Sequence, residues 1–432
     1  LSIPTSTAAP RPAARAGTVS GTTDYRTAFA AVTGLFFIWG FLTCLNDILI
    51  PHLKGVFDLD YVQAALVQFT FFGAYFLVAL PSGWLIRRLG YKRGIVAGLV
   101  TAGVGALLFL PAANVQSYPL FLLALFVLAS GITVLQVAAN PYVTVLGDPA
   151  TASSRLTLTQ AFNSLGTTVA PLVGGALILG ATVPGQSKEA AALADARAVQ
   201  VPYLGIAIAL FIVAGLMAAF KLPRISEIER EAGGEVVSDH MPTGRAWHRS
   251  HLALGVAAIF VYVGAEVSIG SFLVNFFALP EIAGMDEKTA AGYVSFYWGG
   301  AMIGRFVGSA LLRRFRPGML LGGFAVGAAA LTALAAVSSG QVAFWAILAV
   351  GLCNSIMFPT IFALAIDSLG PLTGEGSSLL VMAIVGGALI PVAFGAMADS
   401  SGLQAAFLLP ALCYLYIVFY GFRGSRVKGR AA

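Results

Sequence analysis

From about residue 28 onward the chain is a succession of long apolar runs separated by short polar segments. A helix rising 1.5 Å per residue needs about 20 apolar residues to cross the hydrocarbon core of a bilayer. Twelve runs meet that length, at about 28–53, 62–86, 93–113, 118–146, 155–182, 202–221, 252–279, 289–312, 317–338, 341–366, 376–398 and 402–422. Several exceed the minimum, which implies tilt or extension beyond the bilayer. The pattern predicts an all-α membrane protein.

The polar segments set an orientation. Alternate loops collect Arg87, Arg88, Lys92 and Arg93, then Arg224, Arg230, Arg245 and Arg249, then Arg313, Arg314 and Arg316, then the tail from Arg423 to Arg430. The opposite loops hold only Lys54, Lys188, Arg197 and Lys288. Lysine and arginine in short loops stay on the cytoplasmic side, so both termini are expected inside a bacterial inner membrane.

Composition sharpens the class. Of the 432 residues 58% are hydrophobic and 10% charged, with a mean hydropathy of +0.87. A soluble domain carries about 25% charged residues, and surface-to-volume scaling leaves this chain too few polar groups to cover an aqueous surface. A soluble enzyme, a nucleic-acid-binding protein and a disordered chain are excluded. The 49 glycines and 30 phenylalanines suit closely packed membrane helices. The net charge of +6 lies in the loops and implies the bilayer as partner, with no nucleic acid. Cys44, Cys353 and Cys413 sit in apolar stretches without pairing or metal spacing, so no metal site and no cofactor is expected. Residues 1–25 are rich in Pro, Ala, Thr and Arg and lack the apolar core of a secretory signal.

The chain also repeats itself. GWLIRRLGYKRG after span 2 recurs as GSALLRRFRPGM after span 8, and APLVGGALI in span 5 resembles GGALIPVAFGA in span 11. Asn140-Pro141 in span 4 answers Phe358-Pro359 in span 10. The organisation expected is a disordered tail at 1–26, a six-helix half at 27–221, a linker at 222–251, a second half at 252–422 and a basic tail at 423–432. Two parallel six-helix halves are the repeat of a major facilitator transporter, with the substrate held between them near the midplane.

Ionisable groups inside spans are costly and therefore informative. Glu266 is the deepest, roughly 21 Å from either end of its span. Asp47, following Asn46, lies about 10 Å before Lys54, near a helix end that Pro51 is expected to loosen. No histidine or lysine sits near the midplane, so a proton would be carried by a carboxylate. Gln136, Gln160, Asn163 and Asn354 offer amide donors and acceptors suited to sugar hydroxyls, with Gln160 and Asn163 on one helix face. The alternative for each is a hydrogen bond between helices. Trp39, Trp298 and Phe358 are candidates for stacking on a sugar ring. Arg305, too deep to snorkel, is expected in a structural or gating ion pair with Asp367 or Glu375.

LNDILIPHL, GITVLQVAANPYVTVLG, RLTLTQAFNSLG, YVGAEVSIGSFLVNFF and GEGSSLLVMAIVGGALIPV together resemble the fucose:proton symporter family of the major facilitator superfamily, over about residues 27–422. The ANPYVTVLG and GAEVSIGSFLVN forms look most like its glucose/galactose branch. The resemblance implies ion-coupled hexose uptake by a monomer through alternating access, with Asp47 essential and with Gln160 and Asn163 facing the sugar. It also exposes a departure. Where fucose transporters carry a span 4 glutamate this chain has Gln136, and where they carry a span 7 glutamine it has Glu266. The expectation is that Glu266 has taken over coupling, with proton or sodium as the ion. N-acetylglucosamine or fucose as substrate, a proton-driven efflux antiporter suggested by Ala170-Pro171-Leu172-Val173-Gly174-Gly175, and a substrate-sensing receptor are the other readings.

Overall fold

The computed structural model describes residues 25–57, 61–178, 200–220 and 245–427, with the side chains at 43, 45–57, 61–65, 171–178 and 287 left out. Most of the expected tails and linker lie outside the described residues. Twelve spans lie among the described residues, as the hydropathy pattern predicts. They are α1 Tyr25–Phe57, α2 Tyr61–Leu89, α3 Tyr91–Val115, α4 Tyr118–Val145, α5 Ala152–Ile178, α6 Gln200–Ala219, α7 Ser250–Ala278, α8 Glu287–Leu311 and α9 Pro317–Val337. The tenth is split into α10a Gly340–Asn354 and α10b Met357–Ala365, and the eleventh into α11a Thr373–Met382 and α11b Gly386–Ser401. The last, α12, comprises Leu403–Ala406 and Leu408–Phe419. Contrary to the expected loosening at Pro51, α1 continues through it to Phe57.

The repeat is visible in the packing. In the first half α3 lies against α4 and α6, and in the second α9 lies against α10a and α12. Likewise α1 packs on α5 as α7 packs on α11b, and α2 on α4 as α8 on α10a. Two six-helix halves therefore share one arrangement. They meet where α2 and α4 touch α11a and where α5 touches α8 and α10b.

Among the described residues ten helical stretches are long and apolar enough to cross a membrane, and α5 and α8 are the spans richest in polar residues at the seam. Helix α5 carries Arg155, Gln160, Asn163 and Ser164, and α8 carries Glu287, Lys288 and Arg305. These two helices pack on each other at the seam between the halves. Polar groups are expensive against lipid, so a helix can carry them only where it faces protein or a water-filled path.

Close approach at this seam and beside it is made by small residues. A Cβ on Gly83 of α2 would collide with the Ser378 hydroxyl of α11a, and one on Gly40 of α1 would collide with the backbone carbonyl of Asn163 in α5. Large apolar side chains such as Leu77, Ile212, Val326 and Leu412 stay exposed on the outer surface, where acyl chains would cover them.

Candidate substrate and coupling site

Proline chemistry opens the backbone at two repeat-related places. Pro359 has no N–H, so the carbonyl of Ser355 four residues earlier has no helical partner. Helix α10a ends at Asn354 and α10b starts at Met357. The Ser355 carbonyl instead accepts from Arg305 Nε at 3.2 Å, and the Asn354 carbonyl accepts from the Tyr262 hydroxyl at 3.1 Å. In α4, Pro141 leaves the Val137 carbonyl without its N–H in the same way. There the Ser377 hydroxyl of α11a donates to it across the seam, at 2.9 Å.

Around the α10 break the second half assembles a polar cluster. Glu266 lies about 24 Å along α7 from its start and about 18 Å from its end. Its Oε1 accepts from the Tyr262 hydroxyl at 2.7 Å, one helical turn away. Arg305 Nη2 stands 4.0 Å from the same oxygen, and each side chain of the pair is only 14% exposed. Asn354 is fully buried and donates through Nδ2 to the Tyr297 hydroxyl at 2.8 Å. Its Oδ1 has no partner.

The first half contributes a facing set. Gln136 Nε2 donates to the Tyr75 hydroxyl at 2.8 Å, while Gln136 Oε1 and Gln160 Nε2 are buried without partners. Arg155 of α5 bonds the carbonyls of Val143 and Thr144 in α4, at 3.3 and 2.6 Å. That antiparallel register places Gln136 at the depth of Gln160 and Asn163, each about 10 Å along its helix from the contact. Ser164 joins the two sets: its hydroxyl accepts from Arg305 Nη1 and lies 3.1 Å from the Gln160 carbonyl.

The structure distributes the expected residues unevenly. Glu266, Arg305 and Asn354 come together, and Arg305 links them to the Gln160–Ser164 turn. Asn163 Nδ2 donates to the Phe36 carbonyl at 2.9 Å and so ties α5 to α1. Trp39 is buried against Phe36, with ring centroids 5.2 Å apart. Trp298 is 43% exposed, lies edge-on to Tyr297 and shares a face of α8 with Arg305 two turns away. Phe358 packs near Phe362, with centroids 6.0 Å apart. Asn46 and Asp47 have side chains outside the described residues.

One expectation is corrected. Arg305 pairs with Glu266, not with Asp367 or Glu375. The Asp367 carboxylate accepts from the Ser368 hydroxyl, and Glu375 accepts from the Ala246 N–H at 3.2 Å. The reason is depth: Arg305 lies about 9 Å inside the end of α8. A buried cation takes the nearest buried anion.

Tyr262, Tyr297, Tyr75 and Ser164 are not among the residues singled out from the sequence, where Asn140 figures only beside Pro141 in the repeat. Tyr262 was findable, being one turn before Glu266 on the same face, and Ser164 one turn after Gln160. Asn140, one turn below Gln136, is fully buried and neither side-chain atom has a partner.

A split span beside a buried ion pair, set between two repeated six-helix halves, is the architecture of a secondary transporter. The sequence profile of the Major Facilitator Superfamily matches residues 27–384. The chain belongs to that superfamily. It is 55% identical to a glucose/galactose transporter of Brucella abortus biovar 1 (strain 9-941) over 403 residues, 93% of this chain and 95% of that protein. It is 37% identical to the L-fucose-proton symporter of Escherichia coli (strain K12), over 93% of this chain and 94% of that one. A crystal structure of the major facilitator transporter FucP in the outward conformation superposes with a TM-score of 0.82 at 35% identity, covering 92% and 99% of the two chains. The likeness to the fucose:proton symporter family and its glucose/galactose branch, read from the motifs, is borne out.

Proposed function

We propose that this major facilitator protein takes up a hexose of the glucose/galactose type together with a proton, by alternating exposure of the seam between its halves. The observation that carries the reading is the buried Glu266–Arg305 pair set beside unpartnered amide atoms of Gln136, Gln160 and Asn354. A buried amide without a partner costs free energy, and sugar hydroxyls are donors and acceptors able to supply it. Similarity to a Brucella glucose/galactose transporter and to the Escherichia L-fucose-proton symporter supports hexose transport and proton symport respectively.

Glu266 is the coupling group in this reading. Its ionised form balances Arg305. Protonation removes that balance and changes what the guanidinium holds. Sodium fits less well, because a cation cage needs several oxygens and one face of this carboxylate already meets a guanidinium. Asp47, on α1, is proposed as the second acid. Gln136, Gln160 and Asn354 bind the sugar, and Trp298 offers it a ring to stack on.

The proposed setting is a bacterial cell membrane with the basic loops and both termini in the cytoplasm, and with 27–221 and 252–422 as the moving halves of a monomer. Among the described residues, the hydrogen bonds Ser154–Ser309, Arg305–Ser164 and Ser377–Val137 join the halves from the basic end to mid-depth, which supports a state closed to the cytoplasm. Radiolabelled glucose and galactose uptake into proteoliposomes, with proton and sodium gradients imposed separately, tests the reading. Accumulation is expected under the proton gradient. Accumulation only under sodium, or extrusion of lipophilic cations, would overturn it.

A further inference from the structure

One guanidinium touches two elements of its own half and one of the other half. Arg305 Nε holds the Ser355 carbonyl at the α10 break, at 3.2 Å. Nη2 faces Glu266 on α7, at 4.0 Å. Nη1 donates across the seam to the Ser164 hydroxyl of α5 in the other half. A further bond between the same two helices, Ser154 hydroxyl to Ser309 carbonyl at 2.6 Å, lies nearer the basic end. The Ser164 bond is therefore a tie between the halves in direct contact with the proposed coupling group.

We propose that Arg305 is a positioning residue that keeps the proton from crossing without sugar, by dividing its hold between Glu266 and Ser164 according to the charge on Glu266. This rests on the symport reading above and adds how the two cargoes are kept together. Opposite charges in a poorly screened interior attract strongly. An ionised Glu266 draws the guanidinium and weakens its bond to Ser164, so the empty carrier is free to reorient. A protonated Glu266 exerts no such pull. The guanidinium then stays on Ser164, and the carrier loaded with a proton alone remains tied. Bound sugar releases the tie, because Gln160 is one turn from Ser164 and hydroxyls held there give Nη1 another acceptor. Among the described residues the groups around the carboxylate are Tyr262 on its own helix, Arg305 and Tyr297 on α8, Asn354 at the break, and Tyr414 on α12.

The test is proton flux into sugar-free proteoliposomes, read with an internal pH dye, alongside glucose accumulation and gradient-free glucose exchange. Ser164→Ala is expected to raise the sugar-free proton leak at least fivefold and to lower the accumulation ratio, while exchange persists. Ser164→Thr keeps the hydroxyl and should restore both. Arg305→Lys keeps the charge but cannot reach three partners at once, and it should leak as Ser164→Ala does. Adding Glu266→Gln to Ser164→Ala should abolish the leak. Wild-type leak and accumulation in both Ser164→Ala and Arg305→Lys would overturn the tie while leaving the symport reading intact. A leak that survives Glu266→Gln would overturn the role of Glu266 itself.

Discussion

Glu266 and Gln160 are the side chains on which the proposed coupling and sugar binding rest most directly. Replacing Glu266 by Gln keeps a donor and acceptor but fixes the neutral state, so it imitates permanent protonation. Proton-driven accumulation of glucose should disappear while exchange across a gradient-free membrane survives; an unchanged accumulation ratio would return the coupling role to Asp47. Gln160 differs because its Nε2 is buried without a protein partner. Gln160→Ala should weaken sugar binding about tenfold, the equivalent of roughly 1–3 kcal/mol for a lost hydrogen bond to a buried group. Equilibrium binding of labelled glucose reads this directly, and unaltered affinity would make the residue a helix contact only. The proposed coupling role of Glu266 was legible in the sequence because an acid so far inside an apolar run is costly. The partner of Arg305 was not, since Glu266 lies 39 residues away and only packing of α7 on α8 brings them together.

At the scale of the helix, the deciding features are the places where regular structure is interrupted or crowded. Pro359→Ala restores an N–H that can bond the Ser355 carbonyl, in competition with Arg305 Nε. A hydrogen bond of this kind is worth about 0.5–1.5 kcal/mol, so coupling should fall up to about tenfold in accumulation ratio while the helix itself gains stability. Accumulation equal to wild type would show that the break does not position Arg305. Gly40→Ala tests the neighbouring contact, since its Cβ would lie 2.7 Å from the carbonyl carbon of Asn163. The two nearest atoms opposing it are backbone, with Asn163 Nδ2 just beyond, so α1 and α5 must separate. The expected cost is roughly 1–3 kcal/mol, measurable as a lower Tm in detergent. The hydropathy pattern located the tenth span but treated it as continuous, because Asn354 and Ser355 do little to lower its mean hydropathy. The seam role of α5 and α8 was partly visible in their polar residues.

For the whole molecule, the proposed cytoplasmic closure rests on small ties between halves. Ser377→Ala removes the cross-seam donor to Val137, and with it one bond holding α11a to α4. The open-to-cytoplasm population should rise severalfold, seen as faster labelling of a single cysteine placed at Ser309 from the cytoplasmic side of inverted vesicles. No change in labelling would remove this bond from the closure. Topology is tested separately: a cysteine at position 235 should resist impermeant reagents applied outside intact cells.

The sequence by itself determined the spans and the duplication and set the expected orientation of the charged loops, because bilayer insertion acts on each segment through its length, its apolarity and its flanking charges. It also marked Glu266 and the amides as costly exceptions. Only the tertiary structure decided which exceptions meet. Arg305 facing Glu266 rather than Asp367, Ser164 receiving that guanidinium, and Asn163 bonding the Phe36 carbonyl all depend on helix rotation and depth. Those are set by interdigitating side chains and glycine contacts between segments far apart in the chain. Hydropathy averages over a helix and keeps no memory of which face a residue occupies.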